Sequence, residues 1–118
     1  MYLKNTDSFS SKPALERIKE RVGIAELLRL KSELLLLRGD PEAAKAAEDH
    51  LGRALDWARR QGALSWELRA ATSLARLWKN RDSVDRAREL LGAVYDRFTE
   101  GFETADLRAA KILLDDLA

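Results

Sequence analysis

Apolar residues recur every three or four positions along most of this 118-residue chain, the spacing that places them on one face of an α-helix. The clearest example is the stretch 65–98, which predicts two amphipathic helices separated by residues 80–82. The apolar positions of the first helix, and then those of the second, are Leu68, Ala71, Ala75 and Trp78, followed by Val84, Ala87, Leu91, Val94 and Phe98. Because each helix has one apolar face to bury, the stretch predicts a helical hairpin.

The same spacing predicts three further helices. One long helix is expected from about 13 to 38, with a break near Gly23 as the alternative, because a single glycine weakens a helix without necessarily ending it. The next two are expected at about 42–61 and 105–117. The sequence Gly39-Asp40-Pro41 predicts a tight turn between the first two, since glycine suits a helix end and proline suits the first turn of the next helix.

Residues at the helix ends supply the expected caps. Asp40 is the predicted N-cap of the second helix, Ser65 that of the third and Thr104 that of the last, because their side chains can accept hydrogen bonds from the first free amide groups. Gly62 is the predicted C-cap of the second helix.

Composition supports an all-α fold and narrows the possible functions. Twenty-one Lys and Arg residues nearly balance twenty Asp and Glu residues, whereas a nucleic-acid-binding protein usually has a clear basic excess. The chain has no cysteine and no apolar run long enough to span a bilayer. We therefore expect a cytoplasmic protein without nucleic-acid or membrane partners, with a flexible tail at 1–12 and a single domain at 13–118.

The two helical hairpins of the chain align as an internal repeat, with units at about 24–61 and 65–98 and a capping helix at about 105–117. A small residue midway along the first helix of each unit is followed by three matching positions in the second helix. These residues are Ser32 with Ala47, Leu51 and Ala54, and Ala75 with Ala87, Leu91 and Val94. The pattern resembles the tetratricopeptide repeat, although the spacing is longer than usual and the family's terminal proline is missing. The resemblance implies a right-handed, antiparallel stack of about five helices.

A narrower resemblance covers about residues 24–118. The sequences of 61–78, 95–102 and 106–107 are similar to the C-terminal helical-repeat tail of bacterial signalling and transcription-regulator proteins that carry a nucleotide-cyclase or regulator head and an ATPase module. This chain contains neither the head nor the ATPase. The resemblance therefore implies a sensory or scaffolding tail and no catalysis.

Residue types that carry chemistry are sparse. His50 is the only histidine, and without cysteine or converging carboxylates it is expected to have a structural role. The isolated glycines form no phosphate-binding loop, and Gly52 and Gly92 are either sites of close helix approach or surface positions. Trp78 is expected in the core, and packing is favoured over exposure for Trp57 and Trp66. We predict no catalytic, cofactor-binding or metal-binding residues, and no enzyme activity.

The repeat geometry predicts one concave face, formed by the first helix of each hairpin and the last helix. The partner-binding residues expected on it are Arg29, Glu33, Arg69, Thr72, Arg76, Lys79 and Arg108. This surface leans basic, so the expected ligand is a protein or peptide segment, possibly an acidic one, because arginine binds carboxylates bidentately. The alternative is a regulatory tail that binds a small molecule between the helix layers. A homodimer is a further expectation, since two units are few for a stable repeat stack.

Overall fold

A computed structural model describes the backbone of residues 13–118 and the side chains of residues 13, 14 and 23–118. Within these residues the chain forms five α-helices and no strand, which confirms the predicted all-α class. The helices are α1 (Ala14–Leu36), α2 (Pro41–Gln61), α3 (Leu64–Asn80), α4 (Val84–Tyr95) and α5 (Ala105–Leu117). The predicted tail at 1–12 lies outside the described residues. None of the described helices combines the length and the apolar character needed to cross a membrane.

Helix α1 is broken at Gly23, so the expectation of one continuous helix is wrong and the alternative of a break is confirmed. The backbone of Gly23 has φ 81° and ψ 160°, which only glycine adopts without strain. The indole ring of Trp66 lies against this glycine. A Cβ at residue 23 would be 2.4 Å from Cζ3 of Trp66 and 2.5 Å from Cη2. The break therefore lets α1 pass beneath the ring.

The ends of α2 follow the predicted cap chemistry. Asp40 accepts a hydrogen bond of 2.7 Å from the amide of Ala43, Pro41 opens the helix, and Gly62 ends it with φ 64°. The prediction for α3 is wrong, because the helix begins at Leu64 and neither Ser65 nor any other side chain caps it. Ala63 instead occupies the N-cap position, where its carbonyl accepts the first helical hydrogen bond, from the amide of Glu67 at 2.9 Å.

Helix α3 lies at the centre of the described fold and contacts all four other helices. Because it is surrounded, side chains are buried on nearly every side of it, including the polar Glu67, Thr72 and Ser73. The core around it is completed by fully buried leucines of the neighbouring helices, among them Leu51 and Leu91. The stretch that carries the strongest periodicity in the sequence is thus the one on which the others pack.

Small residues allow the helices to approach closely. Ala47, Ala54, Ala75 and Ala87 are completely buried, as is Ser32, so the small positions of both repeat units lie inside the fold. Close approach does not explain the two glycines within helices. A Cβ added to Gly52 or to Gly92 would meet no atom within 4 Å.

A buried carboxylate ties α2 and the segment after α4 to α3. Glu67 is almost completely enclosed, and its oxygens accept hydrogen bonds from Nη1 of Arg97 at 2.9 and 3.0 Å and from Nε of Arg59 at 3.1 Å. Both arginine side chains remain about half exposed. They keep contact with water, so the desolvation penalty falls mainly on Glu67.

Candidate functional site

Helices α1, α3 and α5 form a row, because within the described residues α3 contacts both of the others and those two do not contact each other. A groove of about 240 Å³ opens along this row, and we call it the α1–α3–α5 groove. Its lining consists of Arg29, Arg69, Thr72, Ser73, Arg76, Asp106 and Ala109. Polar and charged side chains therefore dominate a surface to which three separate helices contribute.

Ion pairs across the helices organise one part of the groove. Glu26 of α1 is buried and binds Arg29 of the same helix through two hydrogen bonds of 2.7 and 2.9 Å. Arg69 of α3 donates to Glu26 at 3.2 Å and to Asp106 of α5 at 2.8 Å. One guanidinium thus connects the three helices that form the groove, and it fixes their relative positions.

These contacts keep both arginines charged. The hydrogen bond to Glu26 raises the pKa of Arg29 above its ordinary value, although burial acts in the opposite direction. The pKa of Arg69 is raised mainly by its hydrogen bond to Asp106. When folding raises the pKa of a basic group, the pairing of that group stabilises the fold. This stabilisation is fully present below the pKa of the unfolded state, and it is lost as the pH rises through the pKa of the folded state. Titration of these two guanidinium groups therefore leaves the contribution of the pairing unchanged over the neutral and moderately alkaline pH range.

The hydroxyl groups in the groove are also engaged. Thr72 donates its proton to the carbonyl of Leu68 at 2.8 Å, so only its oxygen lone pairs are left for a ligand. Ser73 donates to a carboxylate oxygen of Glu33 at 3.1 Å, which joins α3 to α1 a second time. The floor of the groove is consequently held by side-chain hydrogen bonds.

Arg76 differs from the other arginines of the groove. Its side chain is exposed, and it forms no ion pair or side-chain hydrogen bond within the part of the chain that the structure describes. A guanidinium carries five donors in a fixed planar arrangement. The groove therefore presents one cation whose hydrogen-bonding capacity is open to a ligand.

The structure brings four of the seven predicted partner-binding residues into the groove lining, namely Arg29, Arg69, Thr72 and Arg76. Glu33 lies at the edge, where it contacts Ser73 and lies 3.7 Å from Arg29. The other two lie outside the lining. Lys79 pairs with Asp116 at 3.5 Å, and Arg108 is an exposed residue of α5.

The charge of the groove is more balanced than the sequence predicted. Three arginines are accompanied by the carboxylates of Glu26, Glu33 and Asp106, and two of these arginines are paired with them. The sequence contains one signal for this pairing. Glu26 and Arg69 are 43 residues apart, the same offset that aligns the first helices of the two repeat units. Asp106 offers no such signal, because it belongs to the last helix and to neither unit.

Other surfaces offer less convergent chemistry. Within the described residues no group of three His, Asp or Glu side chains is placed to hold a metal ion. His50 is partly buried, and its Nδ1 finds no hydrogen-bond partner there. Trp78 is partly buried, donates its indole N–H to Glu48 at 2.8 Å and is covered by the guanidinium of Arg86 at 4.1 Å. These contacts engage the indole N–H and one face of the ring, so Trp78 has a structural role.

A second cavity lies at the turn between α1 and α2. It has a volume of about 360 Å³ and an apolar wall that includes Leu36, Pro41 and Leu77. Its charged lining residues are already paired, since Asp40 caps α2 and Arg81 binds Glu48 at 2.9 Å.

Comparison with protein-family models, with curated proteins and with solved structures finds no match to this chain.

Proposed function

We propose that this chain is a noncatalytic protein-binding module, built as a right-handed tetratricopeptide-like stack, that receives an extended peptide segment in the α1–α3–α5 groove. The observation that carries the proposal is the convergence of three helices on one polar groove that leaves the guanidinium of Arg76 unpaired. The alternation of groove helices with outer helices supports a tetratricopeptide-like arrangement, since α1, α3 and α5 contact in a row while α2 and α4 do not contact each other.

The chemistry of the groove favours a peptide that carries a carboxylate. Arg76 can bind a carboxylate through two parallel hydrogen bonds, and the free lone pairs of Thr72 can accept one from a peptide amide. Arg69 is less suited to this role, because Glu26 and Asp106 already hold its guanidinium. A bound peptide would thus gain its charge recognition at Arg76 and its position from the fixed floor.

The resemblance to bacterial signalling tails sets the biological context of the proposal. In that context the module is cytoplasmic and acts as a scaffold that joins a partner protein to a signalling or regulatory system. The partner of the helical module is a protein segment with an acidic side chain.

A second candidate function is the sensing of a small molecule. The cavity between α1 and α2 supports it, because a volume of about 360 Å³ with an apolar wall falls in the range of known ligand sites. The pairing of Asp40 and Arg81 leaves few free polar groups to orient a ligand there. We therefore prefer the peptide groove.

The proposal can be tested with peptides selected from a displayed random library on the wild-type chain. Their affinity is then measured by fluorescence anisotropy for the wild type, Arg76→Glu and Arg53→Glu. Arg53 is the matched control, because it is an exposed arginine of α2 outside the groove and forms no ion pair within the described residues. Loss of a charge-assisted contact predicts at least about tenfold weaker binding for Arg76→Glu, a change of about 1.4 kcal/mol or more.

The control should bind as the wild type does. Equal losses in both variants, with thermal melting unchanged, would contradict the proposal, since they would indicate a general effect of charge. A double variant that also reverses Arg69 is unsuitable, because a carboxylate at that position would face Glu26 and Asp106 and would destabilise the fold.

A further inference from the structure

A row of four leucines runs along α1 to Leu37, the residue after its end, and the described chain buries the first of them but leaves the other three exposed. The row consists of Leu27, Leu30, Leu34 and Leu37, spaced by three, four and three residues, which is the a/d spacing of a two-stranded coiled coil. Exposure increases along it, from 8% at Leu27 to 41% at Leu30, 67% at Leu34 and 82% at Leu37. We call these four residues the leucine row. Contiguous exposed apolar side chains of this kind mark interaction surfaces.

The charges beside the leucine row are sorted by sign. Lys31 and, just beyond the end of α1, Arg38 occupy the e positions on one side, and Glu33 occupies a g position on the other. Within one copy Arg38 lies 3.1 Å from Asp40 and Glu33 lies 3.7 Å from Arg29, but the side chains of Arg38 and Glu33 both remain about half exposed. In a parallel pair of helices, g of one helix faces e of the other, so Glu33 of each copy would face Arg38 of the second copy. An antiparallel pair would instead set e against e and bring the basic residues together. The charges therefore complement a second copy in parallel orientation and oppose the antiparallel one.

We propose that the chain forms a homodimer in which the leucine row of α1 pairs in parallel with the same row of a second copy, about a two-fold axis along the helices. Such an interface is self-complementary, as a two-fold axis requires. Packing on α2 and α3 already holds α1 as a helix, so pairing does not have to order it. Only three leucines per copy are substantially exposed, which makes this a small interface, and we expect dissociation in the micromolar range.

This inference does not rest on the peptide groove. Glu33 borders both surfaces, but none of the exposed leucines lines the groove, so the leucines can be substituted without changing the groove lining. Two other occupants could cover the row, namely residues 1–12, which contain Met1, Tyr2, Leu3 and Phe9, or an unrelated protein. If either of these occupants covers the row, the full chain alone should be a monomer. The oligomeric state therefore distinguishes them from a second copy of the chain.

The oligomeric state of the full chain is the first test, measured by sedimentation equilibrium across the micromolar range. The wild type should be dimeric, and Leu34→Lys with Leu37→Lys should be monomeric with an unchanged helical circular dichroism spectrum, because both side chains are exposed in a single copy. The matched control is Ile112→Lys, since Ile112 of α5 is 65% exposed and lies elsewhere. It should remain dimeric. A wild type that stays monomeric, or a dimer that survives the double substitution, would overturn the proposal.

The orientation is tested by a cross-link. The chain has no cysteine, so Leu37→Cys introduces the only thiol. In a parallel dimer each d position lies beside its own counterpart, and oxidation should give a covalent dimer. In an antiparallel dimer Leu37 would lie beside the opposite end of the row, and no covalent dimer should form. Ile112→Cys serves as the control and should stay uncross-linked. Failure of Leu37→Cys to cross-link in a dimeric protein overturns the parallel arrangement.

Discussion

Replacing Gly23 by alanine should destabilise the protein, although the same change inside a regular helix is favourable. The added Cβ would meet the Trp66 ring at 2.4 and 2.5 Å, well inside van der Waals contact. In addition, the φ of 81° and ψ of 160° at this position are strained for any residue with a Cβ. Backbone strain costs about 1–3 kcal/mol and overpacking about 1–3 kcal/mol, so we expect a loss of roughly 2–6 kcal/mol in unfolding free energy.

Gly92→Ala is the matched control for this substitution. Gly92 lies within α4, has helical geometry and would leave its new Cβ without an atom within 4 Å. Here alanine should stabilise the helix by about 0.5–1 kcal/mol. The two glycine-to-alanine variants are thus expected to change stability in opposite directions. Chemical denaturation gives both free energies, and at about 4 °C per kcal/mol the Gly23 variant should melt roughly 8–24 °C below the wild type.

A third variant separates the clash from the backbone strain. Trp66→Leu removes most of the ring, so the added Cβ in the Gly23→Ala, Trp66→Leu double variant has room. The double variant should then lose less unfolding free energy than the two single variants lose together. The difference is the coupling energy, and it measures the clash. A Gly23→Ala variant that is as stable as the wild type, or more stable, would refute the reasoning, because it would mean that α1 runs straight through residue 23.

Two further predictions concern buried positions. Ala87 is completely buried, so Ala87→Glu should cost about 3–5 kcal/mol of unfolding free energy or unfold the chain. The control is Ala93→Glu on the exposed side of the same helix, which should change the unfolding free energy by less than about 0.5 kcal/mol. Equal thermal melting of the two variants would contradict the repeat register. Glu67→Gln should lower the urea midpoint by the equivalent of about 1–3 kcal/mol, because Arg59 and Arg97 lose their charge-assisted hydrogen bonds. A higher midpoint would mean that the desolvation of Glu67 outweighs its ion pairs.

Sequence periodicity predicted most of the helices because each one buries a face against a single core. The second helix, expected at 42–61, is observed at Pro41–Gln61, and the last helix has the expected bounds. The break at Gly23 remained an alternative for a physical reason. The Trp66 ring lies against Gly23, and these two residues are brought together by the packing of α3 on α1. The sequence around Gly23 contains no turn residues that would indicate a break in the helix.

Some residues of the groove could be predicted from the sequence. Arg69, Thr72 and Arg76 share one face of α3, and helical spacing alone groups them. Whether each arginine is paired with a carboxylate could not be predicted from the sequence, because the pairing depends on which carboxylate a neighbouring helix places beside it. Asp106 engages Arg69 and leaves Arg76 unpaired, and this choice follows from the packing of α5 on α3. The predicted basic surface thus becomes a balanced one with a single open cation.

The most direct test of the proposed function is a map of amide chemical-shift changes on titration of the wild-type chain with a selected acidic peptide. The account predicts that the changes cluster on the α1–α3–α5 groove, around Thr72, Ser73, Arg76 and Ala109, and that they disappear with Arg76→Glu. Changes centred on the α1–α2 cavity around Leu36 and Leu77, or changes that persist unaltered in the Arg76 variant, would contradict it.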